Sequence, residues 1–479
     1  MPPIIGGVAT VPGAAARATM DPVAPLRAFR FLQVGTGPVV DRAGHLLALL
    51  GADVVAAGPH PVVADGHHGI VDGQGTVPAG PSVVSVDRAG VGAVIDGLRA
   101  AAAVVELLSA LGGRRVTVDG PGLAAERAQL LGLLPGGTTT AGGAGRMVRT
   151  ADGWVAVNLP RTSDLDLVEA WLGRPPGTDR WDTVAVAVSR RRAVDVVTAA
   201  QELGLAVARV TSPREAATDA QARSRAQPFP MHPFLCEPAP DPTASAVGSG
   251  ARTDGPPPLA GARVVDLSSL WAGPLATSLL ADAGAEVVKV ESTGRPDGAR
   301  AGDPAFFDLL NAGKRCIALA LPEPAAVAQL QTLVDGADLV VEASRPRALD
   351  QLGILRHDRW LTLTAYGATG PWRQWSGFGD DAAVAGGLVG GTPEAPTFFG
   401  DAIADPLAGL HAAVVGLAVL VGAPARVDLA LREVVNHVIG DAEPGPPPTV
   451  GVSRQRRGAA PALGEANAEL LDRAASVRR

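Results

Sequence analysis

Apolar and polar positions along this chain form short apolar runs separated by stretches with helical spacing. From residue 263 the run RVVDL is followed by GPLATSLLADAGAEVV, in which a Gly-Pro turn opens an amphipathic stretch that ends at a Gly-Ala pair. Apolar runs of about four to eight residues indicate strands, and apolar residues at every third or fourth position indicate a helix. The alternation predicts an α/β fold, with a parallel sheet covered by helices.

The pattern occurs twice. The segment GPVVDRAGHLLALLGADVV at 37–55 matches GPLATSLLADAGAEVV at 273–288, and AAAVVE at 101–106 matches ADLVVE at 337–342 at nearly the same separation. Chains rich in Ala, Gly and Val also produce such matches by chance. The agreement of two blocks favours an internal repeat.

Composition shifts predict the domain boundaries. Residues 236–258 are dense in Pro, Ser, Gly and Ala and predict a linker. Residues 1–25 contain no basic region followed by an apolar core, so they predict a disordered tail and no signal peptide. The remaining parts are a degenerate copy at 26–115, a smaller α+β domain at 116–235, and a second copy at 259–479.

One stretch, residues 407–425, is apolar enough to be tested as a membrane span. It consists mainly of Ala, Gly and Val, contains His411, and has no flanking aromatic or basic belts. A buried helix of a globular protein is the preferred interpretation, and no contact with a membrane is expected.

Bulk composition limits the function classes. The chain has 479 residues, 47% of them hydrophobic and 19% charged, with a formal net charge of −7, which predicts at least two domains and no nucleic-acid partner. The cysteines Cys236 and Cys316 form no disulfide framework, and the histidines, including His67 and His68, lack metal-ligand spacing. A cytoplasmic protein without a metal site is expected.

The most informative motifs lie after the linker. They are WAGPLATSLLADAGAEVVKVE from Trp271, LNAGKR from Leu310, TAYGATGP from Thr364 and GDAIADPLAGLHAA from Gly400. In this order they resemble the class III coenzyme A transferases, the CaiB/BaiF family that includes formyl-CoA transferases and α-methylacyl-CoA racemases. Residues 116–235 resemble the small domain of the same family. The resemblance implies Rossmann-like large domains and makes residues 259–479 the catalytic part.

The resemblance identifies Asp405 as the nucleophile, since D-x-x-x-G of the family matches Asp405 to Gly409. In the family an aspartate attacks the acyl-CoA thioester to form a mixed anhydride. Asp405 before Pro406 is also a typical helix N-cap, and the two roles are compatible because a helix N-terminus favours the ionised carboxylate. Asp401 is the rival candidate.

The glycine-rich loop with Gly386, Gly387, Gly390 and Gly391 resembles the active-site loop of the family. Glycine permits close backbone approach, so its amides are expected to stabilise the tetrahedral adduct. A flexible surface turn is the alternative interpretation.

The resemblance also implies a binding site for coenzyme A, as acyl-CoA substrate, with no tightly bound cofactor. A helix N-terminus and local cations suit its phosphates. The candidate residues come from the family-like motifs, and each cation considered alone is also compatible with a solvated surface position. They are Ala272, Gly273, Pro274, Arg300, Lys314, Arg315, Arg345, Arg347 and Tyr366.

Three departures from the family leave alternatives open. Asp350 and Gln351 stand where the family usually has Arg or Glu-Arg, the usual Gly-aromatic-Asp is displaced to the segment Gly377 to Asp381, and no histidine lies there. The missing histidine favours CoA transfer to a carboxylic acid over racemisation. A CoA-binding auxiliary protein with little turnover is the second hypothesis.

Each half lacks what the other retains, because the first has no counterpart of the Asp405 segment and the second has no small domain. Family members are interlaced homodimers. A homodimer is therefore expected, unless both partial copies of one chain surround a single site.

Overall fold

The structure is a computed structural model. It describes residues 4–5, 8–10, 25–26, 30–33, 38–56, 83–84, 92–175, 179–225, 234–237, 258–345, 347–440, 442, 444–448, 454–455 and 457–476. The two histidines at 67 and 68, most of the expected tail and most of the expected linker lie outside these residues.

The described residues of the N-terminal part form a small five-stranded sheet of order β4-β3-β2-β1-β5 and three helices. Strands β3 and β4 are parallel and connected through α1, as the sequence predicts for the first copy. The elements are β1 (Ile4–Ile5), β2 (Val8–Thr10), β3 (Arg30–Gln33), α1 (Pro38–Leu49), β4 (Asp53–Ala56), β5 (Val83–Val84), α2 (Ala93–Leu111) and α3 (Gly120–Leu131).

The second block of the proposed repeat is wrong as a structural match. Residues 101–106 lie inside the helix α2, whereas residues 339–342 of the other block form a strand. Alanine is the strongest helix former, and α2 packs its apolar residues against α1 and α15. Residues 101–106 are therefore helical and do not form the strand that the repeat predicts.

A separate small domain follows, built on an antiparallel sheet of order β6-β7-β8. Trp171, Trp181 and Val197 belong to its own apolar core. Its elements are β6 (Gly145–Arg149), β7 (Trp154–Asn158), α4 (Thr162–Asp166), α5 (Val168–Leu172), α6 (Arg180–Val188), α7 (Ala193–Glu202), β8 (Ala206–Arg209), α8 (Pro213–Thr218) and α9 (Ala220–Arg225).

The predicted boundaries of this domain require two corrections. Helix α3 contacts α2 and helices of the second half, so it belongs to the helical layer of the large domain. Residues 234–237 form β9, which pairs antiparallel with β17 of the large sheet, so residues 236–237, expected to open the linker, belong to that sheet.

The large sheet carries the second half. Its strands are β9 (Phe234–Glu237), β10 (Arg263–Leu267), β11 (Glu286–Ser292), β12 (Arg315–Leu319), β13 (Leu339–Glu342), β14 (Trp360–Thr364) and β17 (Arg426–Ala430). Their order is β12-β11-β10-β13-β14-β17-β9, and all neighbours except β17 and β9 are parallel. The six parallel strands follow the doubly wound order 3-2-1-4-5-6, which confirms the predicted α/β class.

Helices cover both faces of this sheet, and a hairpin of β15 (Gly390–Thr392) and β16 (Ala395–Thr397) lies outside it. The helices are α10 (Ala272–Asp282), α11 (Pro304–Asn311), α12 (Pro324–Asp335), α13 (Ala348–Gln351), α14 (Gly379–Ala385), α15 (Ala404–Val421), α16 (Leu431–Ile439) and α17 (Asn467–Ser476), with a 3-10 turn at Gly298–Ala301.

Helix α15 is the centre of the main apolar core. It packs against α10, α2 and α16, and every residue from Pro406 to Val421 is buried. Among the described helices it alone is long and apolar enough to cross a membrane, but its burial within the protein supports the predicted core helix. The helix thereby fixes Asp405, in its first turn, between the two halves of the chain.

Candidate functional site

Asp405 lies within the first turn of α15, two residues beyond the N-cap, the position that the sequence predicts for it. Ile403 is the N-cap and no side chain caps the helix, so the N-cap assignment of Asp405 is corrected. The Asp405 amide donates to Ala402 O at 2.8 Å. Ala402 has a positive φ of 43°, which is uncommon for a residue with a side chain, so the turn before α15 is a constrained one.

Four carboxylates meet at this turn, and their environments differ. Asp401 accepts two hydrogen bonds from the guanidinium of Arg127, one of them from Nε at 2.9 Å. Asp380 accepts from the amide of Ala402 at 3.0 Å. Asp381 accepts from Asn158 Nδ2 at 3.1 Å and from the amide of Phe378 at 3.0 Å.

Asp405 differs from its three neighbours in having no such partner. Among the described residues no group donates a hydrogen bond to its carboxylate, and it is partly exposed, whereas Asp401 is 2% exposed and Asp381 is completely buried. A carboxylate without a donor keeps its lone pairs available. The geometry therefore favours Asp405 over Asp401 as the reactive group.

The pKa of Asp405 is raised to about 7, chiefly by burial and in addition by the charges of Asp380, Asp381 and Asp401, against the lowering effect of Arg127. Burial likewise raises the pKa of Asp380 and of Asp381 to about 7. Near neutral pH the cluster therefore holds protons, and each added negative charge makes the next ionisation harder. Among the described residues these carboxylates form no group able to hold a metal ion.

Gly379 leaves the space that the Asp405 carboxylate occupies. A Cβ atom at residue 379 would lie 2.5 Å from Asp405 Oδ2 and 2.3 Å from Ala402 O. Both distances are below van der Waals contact, so even alanine would displace the carboxylate or the turn that carries it.

For the acyl transfer that the sequence resemblance implies, we expect Gly379→Ala to lower the rate by about 10²-fold, because a displacement of about 1 Å at a reacting group has an effect of that size. The rate of CoA exchange measures it. Gly294→Ala is the matched control, since no atom lies within 4 Å of a Cβ there and its φ is not positive. Equal rates for the two variants would contradict the proposed position of Asp405.

The glycines predicted to bind the oxyanion do not present free amides. The Gly386 amide donates to Ala382 O at 2.9 Å and the Gly387 amide donates to Val384 O at 3.0 Å, as the end of α14. Gly387 has φ of 92° and packs against Pro213 of the small domain. The predicted role of Gly386 and Gly387 is corrected: they end a helix at the contact between the domains.

Lys314 is not a phosphate ligand in this structure. Its Nζ donates to Asp266 Oδ2 at 3.1 Å, Pro274 O at 2.9 Å, Thr277 Oγ1 at 2.8 Å and Asn311 Oδ1 at 3.0 Å, and its side chain is fully buried. Burial lowers the pKa of Lys314 to about 8 although Asp266 opposes that shift. The ammonium ties α10 to β10 and β12.

Other predicted CoA ligands are also occupied by the protein. Arg300 bonds to Glu291 and Pro461 O and stacks on Phe307. Arg315 pairs with Glu469 at 2.5 Å. Tyr366 is 1% exposed and packs edge-on against two tryptophans.

The predicted turn at Ala272, Gly273 and Pro274 begins α10, as expected, but all three residues are buried. A Cβ at residue 273 would lie 2.2 Å from Ser268, so the glycine is needed for packing of the helix against the preceding loop. This turn therefore supports the sheet edge and does not expose a phosphate cradle.

Arg345 and Arg347 remain exposed. Arg345 follows the end of β13, and Arg295 follows the end of β11. Burial lowers the pKa of the Arg161 guanidinium of the small domain. The nearby charges of Arg295 and Arg345 lower it further. Arg161 also lies over the ring of Phe378, with 4.8 Å from Cζ to the ring centroid.

These arginines define a basic group, Arg161, Arg295 and Arg345, at the carboxyl ends of the two strands that flank β10. Ligands of open α/β sheets bind at this edge. Sequence reasoning found Arg345 but missed Arg127, Asn158, Arg161 and Arg295, because only the folded chain brings the small domain onto this edge. The sequence signal that could have indicated Asn158 and Arg161 is their position at and just after the end of β7.

The two described cavities lie elsewhere. One of about 440 Å³ is bounded by Val118, Ser278 and Arg454, and one of about 340 Å³ by Arg300, Phe307 and Pro461. Neither includes Asp405.

The second half of the chain is similar to known CoA transferases. Residues 259–442 match the family model for CoA-transferase family III. Succinyl-CoA–D-citramalate CoA-transferase of Chloroflexus aurantiacus is 34% identical over 183 residues, which are 34% of this chain and 46% of that protein. Succinate–glutarate CoA-transferase of Agrobacterium fabrum is 30% identical over 216 residues, 39% of this chain and 54% of that protein.

A crystal structure of a CaiB/BaiF family protein from Brucella suis is 28% identical, with a TM-score of 0.35, and the match covers 39% of this chain and 56% of that chain. The chain spans about half the length of the curated relatives it matches.

Proposed function

Since the chain carries a domain of CoA-transferase family III at residues 259–442, we propose that it transfers coenzyme A from an acyl-CoA to a carboxylic acid, with Asp405 as the covalent nucleophile. The observation that carries this proposal is the state of Asp405: it is the one carboxylate of the cluster with partial exposure and no hydrogen-bond donor. The matched relatives that are named for succinyl-CoA support short acyl groups as substrates.

The proposed reaction proceeds in balanced steps. The Asp405 carboxylate attacks the thioester carbonyl, the C–S bond breaks, and the CoA thiolate leaves an acyl-aspartyl anhydride. The thiolate then attacks the aspartyl carbonyl, releases the donor acid as carboxylate and forms an aspartyl-CoA thioester. The acceptor carboxylate then attacks the aspartyl-CoA thioester and releases the thiolate, which attacks the acceptor carbonyl of the new anhydride and frees Asp405. No net proton is gained or lost, and the covalent steps together replace one difficult exchange.

The charged surroundings suit these steps. The first turn of α15 directs its partial positive charge at Asp405 and favours the ionised form. The buried carboxylates Asp380 and Asp381, whose pKa values burial raises to about 7, are able to hold protons beside the negative adduct. Arg161, Arg295 and Arg345 are the proposed ligands for the phosphates of CoA.

The proposal is tested by incubation with succinyl-CoA, glutarate and isotopically labelled CoA, followed by measurement of label in the thioester pool. Incorporation is the expected result. The alternative function, CoA binding without turnover, is favoured by the enclosure of Lys314 and by the two cavities that omit Asp405. Titration that shows CoA binding, together with no exchange, would replace the first proposal by the second.

A prediction follows for the basic group. Arg295→Gln and Arg345→Gln should each weaken CoA binding roughly tenfold or more, because a hydrogen bond to a charged group contributes about 1.5–3 kcal/mol. Calorimetric titration at two salt concentrations measures the loss, which should be smaller at high salt. Arg190→Gln, an exposed site on the small domain, is the control for loss of one charge. Unchanged affinity in both variants would remove the phosphate site from this edge.

A further inference from the structure

The two halves of the chain contain a similar pair of helices, α2 and α3 in the first half and α15 and α16 in the second. Helix α2 contains Gly97-Leu98-Arg99-Ala100-Ala101, and α15 contains Gly409-Leu410-His411-Ala412-Ala413. The two helices pack against each other. Each is followed by a second helix, α3 or α16, that packs against it.

Aligned on these glycines, the two helices differ at the position of the nucleophile. Asp405 stands four residues before Gly409, and Ala93 stands four residues before Gly97. Ala93 is 3% exposed, and the adjacent Val94 amide donates to Pro444 O at 3.3 Å. The N-terminal repeat thus has no carboxylate at the position that Asp405 occupies, and the start of its helix is covered.

What the N-terminal repeat brings to the site is Arg127, on α3. Its guanidinium bonds to both oxygens of Asp401, across 274 residues of sequence. It lies over the rings of Trp271 and Phe306, with 5.1 Å and 5.9 Å from Cζ to the centroids. Two rings and a bidentate carboxylate fix the guanidinium in one orientation.

Through Asp401 this arginine is connected to the turn that carries the nucleophile. Asp401 directly precedes Ala402, whose amide donates to Asp380 and whose carbonyl accepts from the Asp405 amide. Asp405 is faced by Arg127 from α3, by Asp380 and Asp381 from α14, and by Asp401 from the turn. Arg127 is the basic member of this group.

We propose that Arg127 is a positioning residue for Asp405. Arg127 holds the turn at residues 401–405 and provides the positive charge that faces the reactive carboxylate. It comes from the N-terminal repeat, which has no nucleophile of its own. The inference rests on the proposed function of Asp405. It assigns the N-terminal half a role in a single composite site.

The sign of the expected pH effect follows from the charges. Asp405 has its pKa raised to about 7 by burial, so its ionised fraction grows as pH rises through that value. Loss of Arg127 removes a positive charge and moves the midpoint to higher pH. Loss of the Asp380 charge removes a negative one and moves the midpoint to lower pH.

The experiment compares full-length Arg127→Met, Arg127→Lys, Asp380→Asn and Arg454→Met with the unchanged protein. The initial rate of CoA exchange from succinyl-CoA is followed from pH 5.5 to pH 9. Arg454 pairs with Glu126, the residue beside Arg127 on α3, so Arg454→Met disturbs the same helix without touching Asp401.

For Arg127→Met we expect a midpoint higher by about one pH unit, hence roughly tenfold slower exchange at pH 6 and recovery near pH 9. Arg127→Lys should restore most of the midpoint, Asp380→Asn should lower it, and Arg454→Met should leave it unchanged. A uniform loss at every pH in Arg127→Met, with the midpoint unmoved, would overturn the proposal. Absence of exchange in the unchanged protein would instead refute the proposed function.

Discussion

Asp405→Asn is expected to abolish CoA exchange, with a loss on the order of 10⁴-fold or more, the scale seen when a covalent nucleophile is removed. Asparagine preserves the shape of the side chain but presents a weakly nucleophilic amide. The exposed fraction and the partners of Asp405 indicate no structural role, because no described group donates to its carboxylate. Removal of the negative charge from a cluster of four carboxylates should leave the stability of the fold unchanged or increased.

Measurement of exchange and of thermal unfolding on the same preparation separates the two effects. Asp350→Asn is the matched control, because Asp350 is exposed and pairs with Arg356, which is not a member of the carboxylate cluster. A variant at 405 that is folded but retains more than about a hundredth of the exchange rate would contradict nucleophilic catalysis, given the size of the expected loss.

Arg225→Met is expected to give the largest loss of stability, about 3–5 kcal/mol, the usual result of removing one partner of a buried ion pair. Arg225 donates to Glu433 Oε1 at 2.6 Å, to Thr369 Oγ1 at 2.9 Å and to Asp428, and its side chain is 2% exposed. It joins α9 of the small domain to β17 and α16 of the large domain. Its loss leaves the buried carboxylates of Asp428 and Glu433 without the cation that donates hydrogen bonds to them.

The effect of Arg225→Met should depend on pH. Burial raises the pKa of Glu433 to about 7 although Arg225 lowers it. A group whose pKa is raised by folding stabilises the folded state at low pH, and this contribution is lost as pH rises through the folded pKa. Without Arg225 the pKa of Glu433 rises further, so the variant should be more destabilised at pH 8.5 than at pH 6.

Urea unfolding at the two pH values checks this expectation. Arg209→Met is the control, because Arg209 and Glu215 form an exposed pair, 48% and 53% accessible, that should contribute at most about 1 kcal/mol. A destabilisation of Arg225→Met no larger than that of the control would show that the small domain is held mainly by apolar contacts such as those of Met147 and Phe398.

The fold was predictable where short-range patterns decide it. Gly-Pro turns and the Gly-Ala pairs correctly located α1, α10 and the strands that follow them, and a parallel sheet followed from the alternation. Residues 101–106 were not predictable from their match to 337–342, because six apolar and acidic residues are compatible with either state. Their burial against α15 determines the helix.

Local motifs predicted only part of the candidate site. Family-like motifs located Asp405 and Arg345, but they also selected Lys314, whose ammonium has four protein partners, since a motif does not reveal which way a side chain points. Arg127 and Asn158 were missed because each meets its carboxylate across more than two hundred residues of sequence. Contacts between repeats and domains leave no local pattern.

The assembly expected from the sequence was a homodimer unless both partial copies surround one site. Arg127 of the first half, Asn158 of the small domain and Asp405 of the second half lie around one carboxylate cluster. This arrangement supports a composite site within a single chain, and the number of chains in the active particle remains a prediction for a solution mass measurement.

The most direct test of the whole account is to trap the acyl-enzyme. The protein is incubated with succinyl-CoA, treated with hydroxylamine or borohydride, digested, and mapped by mass spectrometry. The account predicts one modified aspartate per chain, at Asp405, that is absent from Asp405→Asn. Modification at Asp401 or Asp380, or an unmodified Asp405 in a protein that exchanges CoA, would contradict it.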